Sequence, residues 1–358
     1  MRQLKLSIII PMYNVKNYIE RCIRSLEDQD LPENEYEIIC INDGSPDDSR
    51  GVVIQCQKEF DNIVLIDQEN QGVSKARNNG IDKARGRYIL MIDPDDYLER
   101  QVLRKTLEFS KVKDLDLAIF GYRIFNIDGK IIYNFLPEFN NNRVISGIAL
   151  FDEIFRGKPN NLDPDRSVGI IFKTSFMRGF NLFYLLNVPY LEDGELLARI
   201  FCLAERAGFN KLIIYNRTTR PGSATNSKLF HSRIAIDGFI KCAMNLRNFR
   251  DNFLITQAQK TFLNQPIAKF SILAIASCSS LNSLKSFSYV KRELVKNHLN
   301  KLILTTCNRQ YTRLGSVYNF SIDLFLIYYA IWQKIIVIRY FALKVKKGIN
   351  NIFFMNLS

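Results

Sequence analysis

Four short apolar runs punctuate the first hundred residues, at 6–10, 36–41, 63–66 and 88–92. Each suits a strand and is too short for a buried helix. Between them apolar residues recur at helical spacing, as at Tyr18, Ile19, Cys22, Ile23 and Leu26. Strands alternating with helices predict an α/β fold with a doubly wound, mainly parallel sheet. Uninterrupted apolar strands fit such a sheet because helices cover both of its faces. Ligands then bind beyond the carboxyl ends of the strands. The residues at the end of each run therefore decide the chemistry.

The fourth run ends in Asp93-Pro94-Asp95-Asp96. Pro94 has no amide proton and keeps its predecessor extended, so the strand should stop there. Three carboxylates at one strand end repel one another unless a cation lies between them. Their oxygens suit magnesium or manganese, and magnesium is usually held by one or two carboxylates plus substrate phosphates. The first run closes on Pro11-Met12-Tyr13-Asn14, with Asn14 placed to cap a helix. The second closes on Asn42-Asp43-Gly44-Ser45, a tight turn, with Ser45 or Asp47 as the next cap. Residues 72–84 read as a helix carrying Arg77, whose guanidinium matches phosphate oxygens and could also orient the acidic loop.

Further along, 99–110 reads as a helix and 117–120 as a strand. Residues 122–135 read as a hairpin about Asp128-Gly129, and 136–166 as irregular. A strand at 168–172 leads to Glu192-Asp193 and a helix from about 195 to 207. A last strand at 209–215 ends in a polar loop, 217–223, whose Arg217, Arg220 and Ser223 could close over a diphosphate.

The net charge of +13 is unevenly spread. Residues 1–225 hold 30 Lys and Arg against 32 Asp and Glu, whereas 226–358 hold 19 against 4. This marks two parts: an α/β domain at 1–225, and a basic, largely helical region at 226–358. The second would face an anionic membrane surface. Residues 318–343 are strongly apolar but broken by Gln333, Lys334 and Arg339, which suits an interfacial helix better than a spanning one. Seven scattered cysteines and two histidines form no zinc pattern and suggest a reducing compartment. Met1 to Lys5 leave no room for a signal peptide. The expected location is the cytoplasm, peripheral at the inner face of the plasma membrane.

The ordered motifs Pro11-x-Tyr13-Asn14, Asn42-Asp43-Gly44-Ser45, Gln71-Gly72-Val73-Ser74-x-Ala76-Arg77-Asn78 and Asp93-x-Asp95-Asp96 resemble those of family 2 glycosyltransferases. The resemblance covers about residues 5–225 and implies a GT-A fold with a helical C-terminal extension. It places Pro11, Tyr13, Asn14, Asp43, Arg77 and Asp93 on the donor side, with Asp43 accepting the N–H of a uracil-type base. It assigns Asp93, Asp95 and Asp96 to a metal loop for Mn2+ or Mg2+. Glu192-Asp193 matches the family's later acidic pair, with Asp193 as catalytic base and Glu192 orienting the loop or the acceptor. The Gln-x-x-Arg-Trp motif of processive members does not occur, since the sole tryptophan is Trp332. The implied reaction is inverting transfer of one sugar from a nucleotide-sugar, UDP-linked for preference, to a saccharide or lipid-linked acceptor.

Other classes fit less well. Sugar-phosphate nucleotidyltransferases and hydride-transferring Rossmann enzymes want glycines after the first strand, and Pro11-Met12-Tyr13-Asn14 has none. The basic tail lies among long apolar stretches, which suits a membrane better than nucleic acid. An inactive scaffold in a membrane polysaccharide-assembly complex is the alternative, and the intact acidic residues speak against it.

Overall fold

The computed structural model describes residues 4–136, 143–155, 166–219, 228–278, 284–329 and 331. The chain divides into two compact units: Met1–Asn187 with Leu191–Asn226, and Val188–Tyr190 with Ser227–Ser358.

Unit 1 begins with β1 (Leu6–Met12), α1 (Ile19–Glu27), β2 (Tyr36–Asp43), α2 (Ser49–Cys56), β3 (Ile63–Gln68), α3 (Val73–Lys83) and β4 (Tyr88–Met91). The four strands pair in parallel in the order β3-β2-β1-β4. Every residue of β1, β2 and β4 is buried, which is why their sequences are apolar without alternation. Each fully buried Ile or Leu contributes roughly 1.5–3 kcal/mol over exposure. Helix α3 packs on β1 and β2. It comes so close that a Cβ on Gly80 would lie 2.3 Å from Ile9 Cγ2, so only glycine fits there.

The chain continues through β5 (Tyr97–Leu98), α4 (Leu103–Val112), β6 (Leu117–Phe125), β7 (Ile131–Phe135), α5 (Gly147–Ile154), β8 (Ile170–Lys173), α6 (Thr174–Gly179), α7 (Glu192–Leu203) and β9 (Ala207–Thr218). Here the sheet becomes mixed. Strand β8 runs antiparallel between β4 and β6, β9 runs parallel to β6, and β5 pairs antiparallel with β9. The expected hairpin forms from β6 and β7, with Gly129 at φ 73 in its turn.

Several local expectations are corrected. Asn14 caps no helix: it sits in the left-handed region at φ 54, and α1 starts at Ile19 without a side-chain cap. Ser45 does not cap α2 either, since its Oγ accepts the Asn14 amide at 3.3 Å. The N-cap position is Asp48, without a side-chain cap bond, and Asp47 just before it accepts the Ser49 amide at 3.1 Å. The helix expected from 99 begins at Leu103, because Tyr97 and Leu98 are drawn into pairing with Asn216 and Tyr215. The stretch read as irregular holds α5, whose cap Ser146 accepts from Ala149.

The described elements of unit 2 are helices: α8 (Arg233–Asn252), α9 (Gln257–Phe262), α10 (Asn264–Cys278), α11 (Leu284–Lys296), α12 (Arg309–Phe320) and a further helix at 322–329. Helix α10 is buried along nearly its whole length and packs on α8, α11 and α12. The helix at 322–329 is apolar on two faces. Ile322, Phe325 and Tyr329 enter the core, while Leu324 and Ile327 stay exposed. No helix among the described residues is long and apolar enough to cross a membrane.

Candidate active site

The register of the parallel strands brings the motifs to one edge of the sheet. Met12 pairs with Asn42, Asn42 with Asp67 and Asp43 with Gln68, while Ile9 pairs with Met91 just before the acidic loop. Pro11 is buried inside β1, and Tyr13 and Asn14 emerge exposed at its end.

Asp43 is nearly fully buried, and its carboxylate is already busy. Oδ1 accepts from Gln68 Nε2 at 2.7 Å and from the Gln71 amide at 2.8 Å, and Oδ2 accepts from the Gly72 amide at 2.8 Å. Gly72, at φ 87, turns that amide inward. A carboxylate offers about four acceptor sites, so three donors leave one for a further N–H.

The acidic loop splits by environment. Asp93 and Asp95 are partly exposed, whereas Asp96 is 2% exposed. Asp96 Oδ2 accepts from Tyr215 Oη and Oδ1 from the Thr218 amide, both at 2.7 Å. Burial pushes its carboxyl well above the usual range, reinforced by Asp93 and Asp95. The Asp95 carbonyl accepts from Arg21 and from Thr218 Oγ1, and the Asp93 amide donates to Tyr215 Oη at 3.1 Å. The end of β9 therefore holds the loop. Asp96, expected among the metal ligands, serves as its inward anchor.

Arg77 is the centre of the cluster. It is buried, with Nη2 on Asp93 Oδ1 at 2.9 Å, Nη1 on Glu192 Oε1 at 2.8 Å and Asp193 Oδ1 at 3.8 Å. Burial works against its charge, but Asp193, Tyr184, Asp93 and Glu192 more than offset this and raise its pKa. Glu192 is pushed up by burial, against the pull of Arg77. Asp193 Oδ1 accepts from Tyr184 Oη at 2.8 Å and Ser167 Oγ at 3.0 Å, while Oδ2 meets no donor among the described residues. Both acids lie in the first turn of α7, where the helix dipole favours negative charge. The helix starts three residues earlier than the sequence pattern suggests. Leu191 makes this possible by adopting φ 60, ψ 29, a costly conformation for leucine that clusters at functional sites.

The structure thus gathers Asp93, Arg77, Glu192 and Asp193 directly, and it sets Tyr13, Asn14, Asp43 and Asp95 at the same sheet edge. Arg217 belongs to β9 rather than to a loop. Arg220 and Ser223 lie outside the described residues. Tyr184, Ser167, Tyr215 and Thr218 join the site without any local mark in the sequence to distinguish them.

Among the described residues no three His, Cys, Asp or Glu side chains converge as a complete metal cage. Two partly exposed carboxylates do fit an ion that takes its other ligands from substrate phosphates.

Residues 7–180 match the family model "Glycosyl transferase family 2". Unit 1 belongs to that family. EpsJ of Bacillus subtilis, named an uncharacterized glycosyltransferase, is 28% identical over 81% of this chain and 83% of its own length. Two other curated relatives are longer, and the match spans only 31% and 19% of them. The glycosyltransferase fold is of the GT-A type. S. aureus TarS 1–349 in complex with UDP-GlcNAc aligns with a TM-score of 0.68 and 17% identity, over 91% of this chain and 90% of that one. The mannosyltransferase PcManGT from Pyrobaculum calidifontis, in complex with GDP-Man and Mn2+, aligns at 0.50 and 12% identity, over 93% and 89%.

Proposed function

We propose that this glycosyltransferase is inverting and metal-dependent, and moves a single sugar from a UDP-sugar to a hydroxyl of a lipid-linked or oligosaccharide acceptor in bacterial surface polysaccharide synthesis. One observation carries the reading: Arg77 bonds the acidic loop through Asp93 and the first turn of α7 through Glu192. Donor-side and acceptor-side carboxylates are thereby held at fixed separation.

In this reading Asp43 spends its remaining acceptor site on the base N–H. Tyr13 and Asn14 flank the nucleotide, and Asp93 contacts the ribose or steadies the loop. Asp95, with Asp93, would hold Mn2+ or Mg2+, which stabilises negative charge on the departing diphosphate when bound. Asp193 accepts the proton of the acceptor hydroxyl through Oδ2. The hydroxyl oxygen bonds to the anomeric carbon as the bond to the nucleoside diphosphate breaks, and configuration inverts. Arg77 holds the two acidic groups in place throughout.

Peripheral membrane binding is proposed for unit 2. Support comes from its excess of basic residues and from apolar side chains left exposed at Phe320, Leu324, Ile327 and Ile331. Because Tyr318, Phe325 and Tyr329 belong to its core, polar replacement of Phe320, Leu324 and Ile327 is a cleaner test than truncation. The variant should lose binding to phosphatidylglycerol vesicles, and retained binding would count against the membrane role.

The deciding experiment is calorimetric titration of UDP into the full chain with and without manganese. Tight binding that requires manganese is expected. A response to GDP and none to UDP would change the donor, and binding indifferent to metal would remove the metal from the mechanism.

A further inference from the structure

We propose that Tyr184 is a positioning residue that makes Asp193 a one-sided base, holding Oδ1 so that Oδ2 alone faces the acceptor. The inference rests on reading Asp193 as the base.

Tyr184 is 3% exposed and is fixed at three points. Its backbone is clamped by Asn78, which accepts the Tyr184 amide at 2.7 Å and donates to the Tyr184 carbonyl at 2.9 Å. Its ring lies 5.1 Å beneath the guanidinium of Arg77, the residue next to Asn78 on α3. Its hydroxyl reaches Asp193 Oδ1 at 2.8 Å, beside Ser167 Oγ at 3.3 Å and Met91 Sδ at 3.1 Å. One residue earlier, the Phe183 carbonyl accepts from Arg199 Nη2 at 2.7 Å. Arg199 is itself paired with the fully buried Glu195, on the helix that carries Asp193.

Packing alone does not require the hydroxyl, since phenylalanine would fill the same space. A buried hydroxyl costs free energy unless it is bonded, and the strongest acceptor within reach is a catalytic carboxylate. Two donors on one oxygen restrict rotation of the carboxylate and leave the other oxygen to take a proton. Among the described residues, the charged and titratable groups facing this site include Arg77, Glu192 and Tyr184 itself, whose hydroxyl is raised chiefly by burial and then by Asp193. Because the ring also supports Arg77, Tyr184 couples the donor-side cation to the base.

The test uses the full chain with manganese and whichever of UDP-glucose, UDP-galactose and UDP-GlcNAc it hydrolyses fastest, with UDP release as readout. Tyr184→Phe keeps the ring under Arg77 and removes only the hydroxyl. It should lower kcat by about tenfold or more while leaving the donor KM unchanged. In an Asp193→Asn background the same substitution should cause no further loss. A purely structural tyrosine would instead lower both backgrounds alike, and that result overturns the proposal. If Asp193→Asn is inactive but Tyr184→Phe turns over like wild type, the positioning role fails and the base assignment stands. If Asp193→Asn itself turns over like wild type, the base assignment falls, and this proposal with it. Should Tyr184→Phe fold poorly, Ser167→Ala removes the other donor from the same oxygen. It should show a smaller fall in kcat, again absent in the Asp193→Asn background, and an equal fall in both backgrounds overturns the proposal.

Discussion

The acidic loop after β4 and the first turn of α7 are both clusters of carboxylates, yet they are held in opposite ways. In the loop the side chain that is most firmly bonded, Asp96, points inward, and the partly exposed Asp93 and Asp95 face the strand-end edge. In α7 both acids are largely enclosed and held by named donors, and Asp193 Oδ2 meets no donor among the described residues. A metal loop needs carboxylates with room for an incoming ion. A base needs one oxygen in a defined direction. On the proposed reading, the difference in packing follows the difference in task.

Arg77→Ala should do the greatest damage, since it joins the two regions. Removing one partner of a buried ion pair typically costs about 3–5 kcal/mol, and urea denaturation should read a loss of that order with sugar transfer abolished. Arg77→Lys should recover only part, because an ammonium lacks the planar fork. Asp193→Asn should next lower transfer by ~10²-fold or more, with UDP affinity by calorimetry unchanged. Weakened UDP binding would move Asp193 to the donor side and dissolve the contrast.

Within the loop, Asp95→Asn should weaken manganese-dependent UDP binding while stability stays within about 0.5 kcal/mol, as for ordinary surface changes. Asp96→Asn should show the smallest effect on UDP binding and act instead on stability, visible in its pH dependence in metal-free buffer. The folded-state pKa of Asp96 is raised above the unfolded value of about 3.9. Its contribution is therefore fully present below about pH 4 and is lost as pH rises through the folded value. The variant should flatten that decline, and an unchanged profile would mean that Asp96 is not sealed as described.

Much of unit 1 is legible in the sequence because buried parallel strands need apolar residues on both faces. Their ends announce themselves through proline, glycine and acidic residues, and the order of the motifs then points to the family. The antiparallel hairpin at 122–135 and the strand at 168–172 are legible too, but β5 is not. Strand β5 has two residues, too few for any pattern, and exists because β9 lies beside it. The distinction between Asp95 and Asp96 is hidden for a similar reason. Tyr215 and Thr218 seal Asp96 from about 120 residues further along the chain. Tyr184 is one aromatic among many until Asn78 and Asp193 are seen around it.

Arg77 has a consequence for how such a chain can evolve. Its two arms serve acids from separate segments, so no single substitution at 77, 93 or 192 keeps all the bonds. Replacing either acid strands one arm of a buried cation, and replacing the arginine strands both acids. Neutral drift at these three positions is therefore coupled. A lineage that exchanges them one at a time passes through intermediates that have lost at least one of these bonds.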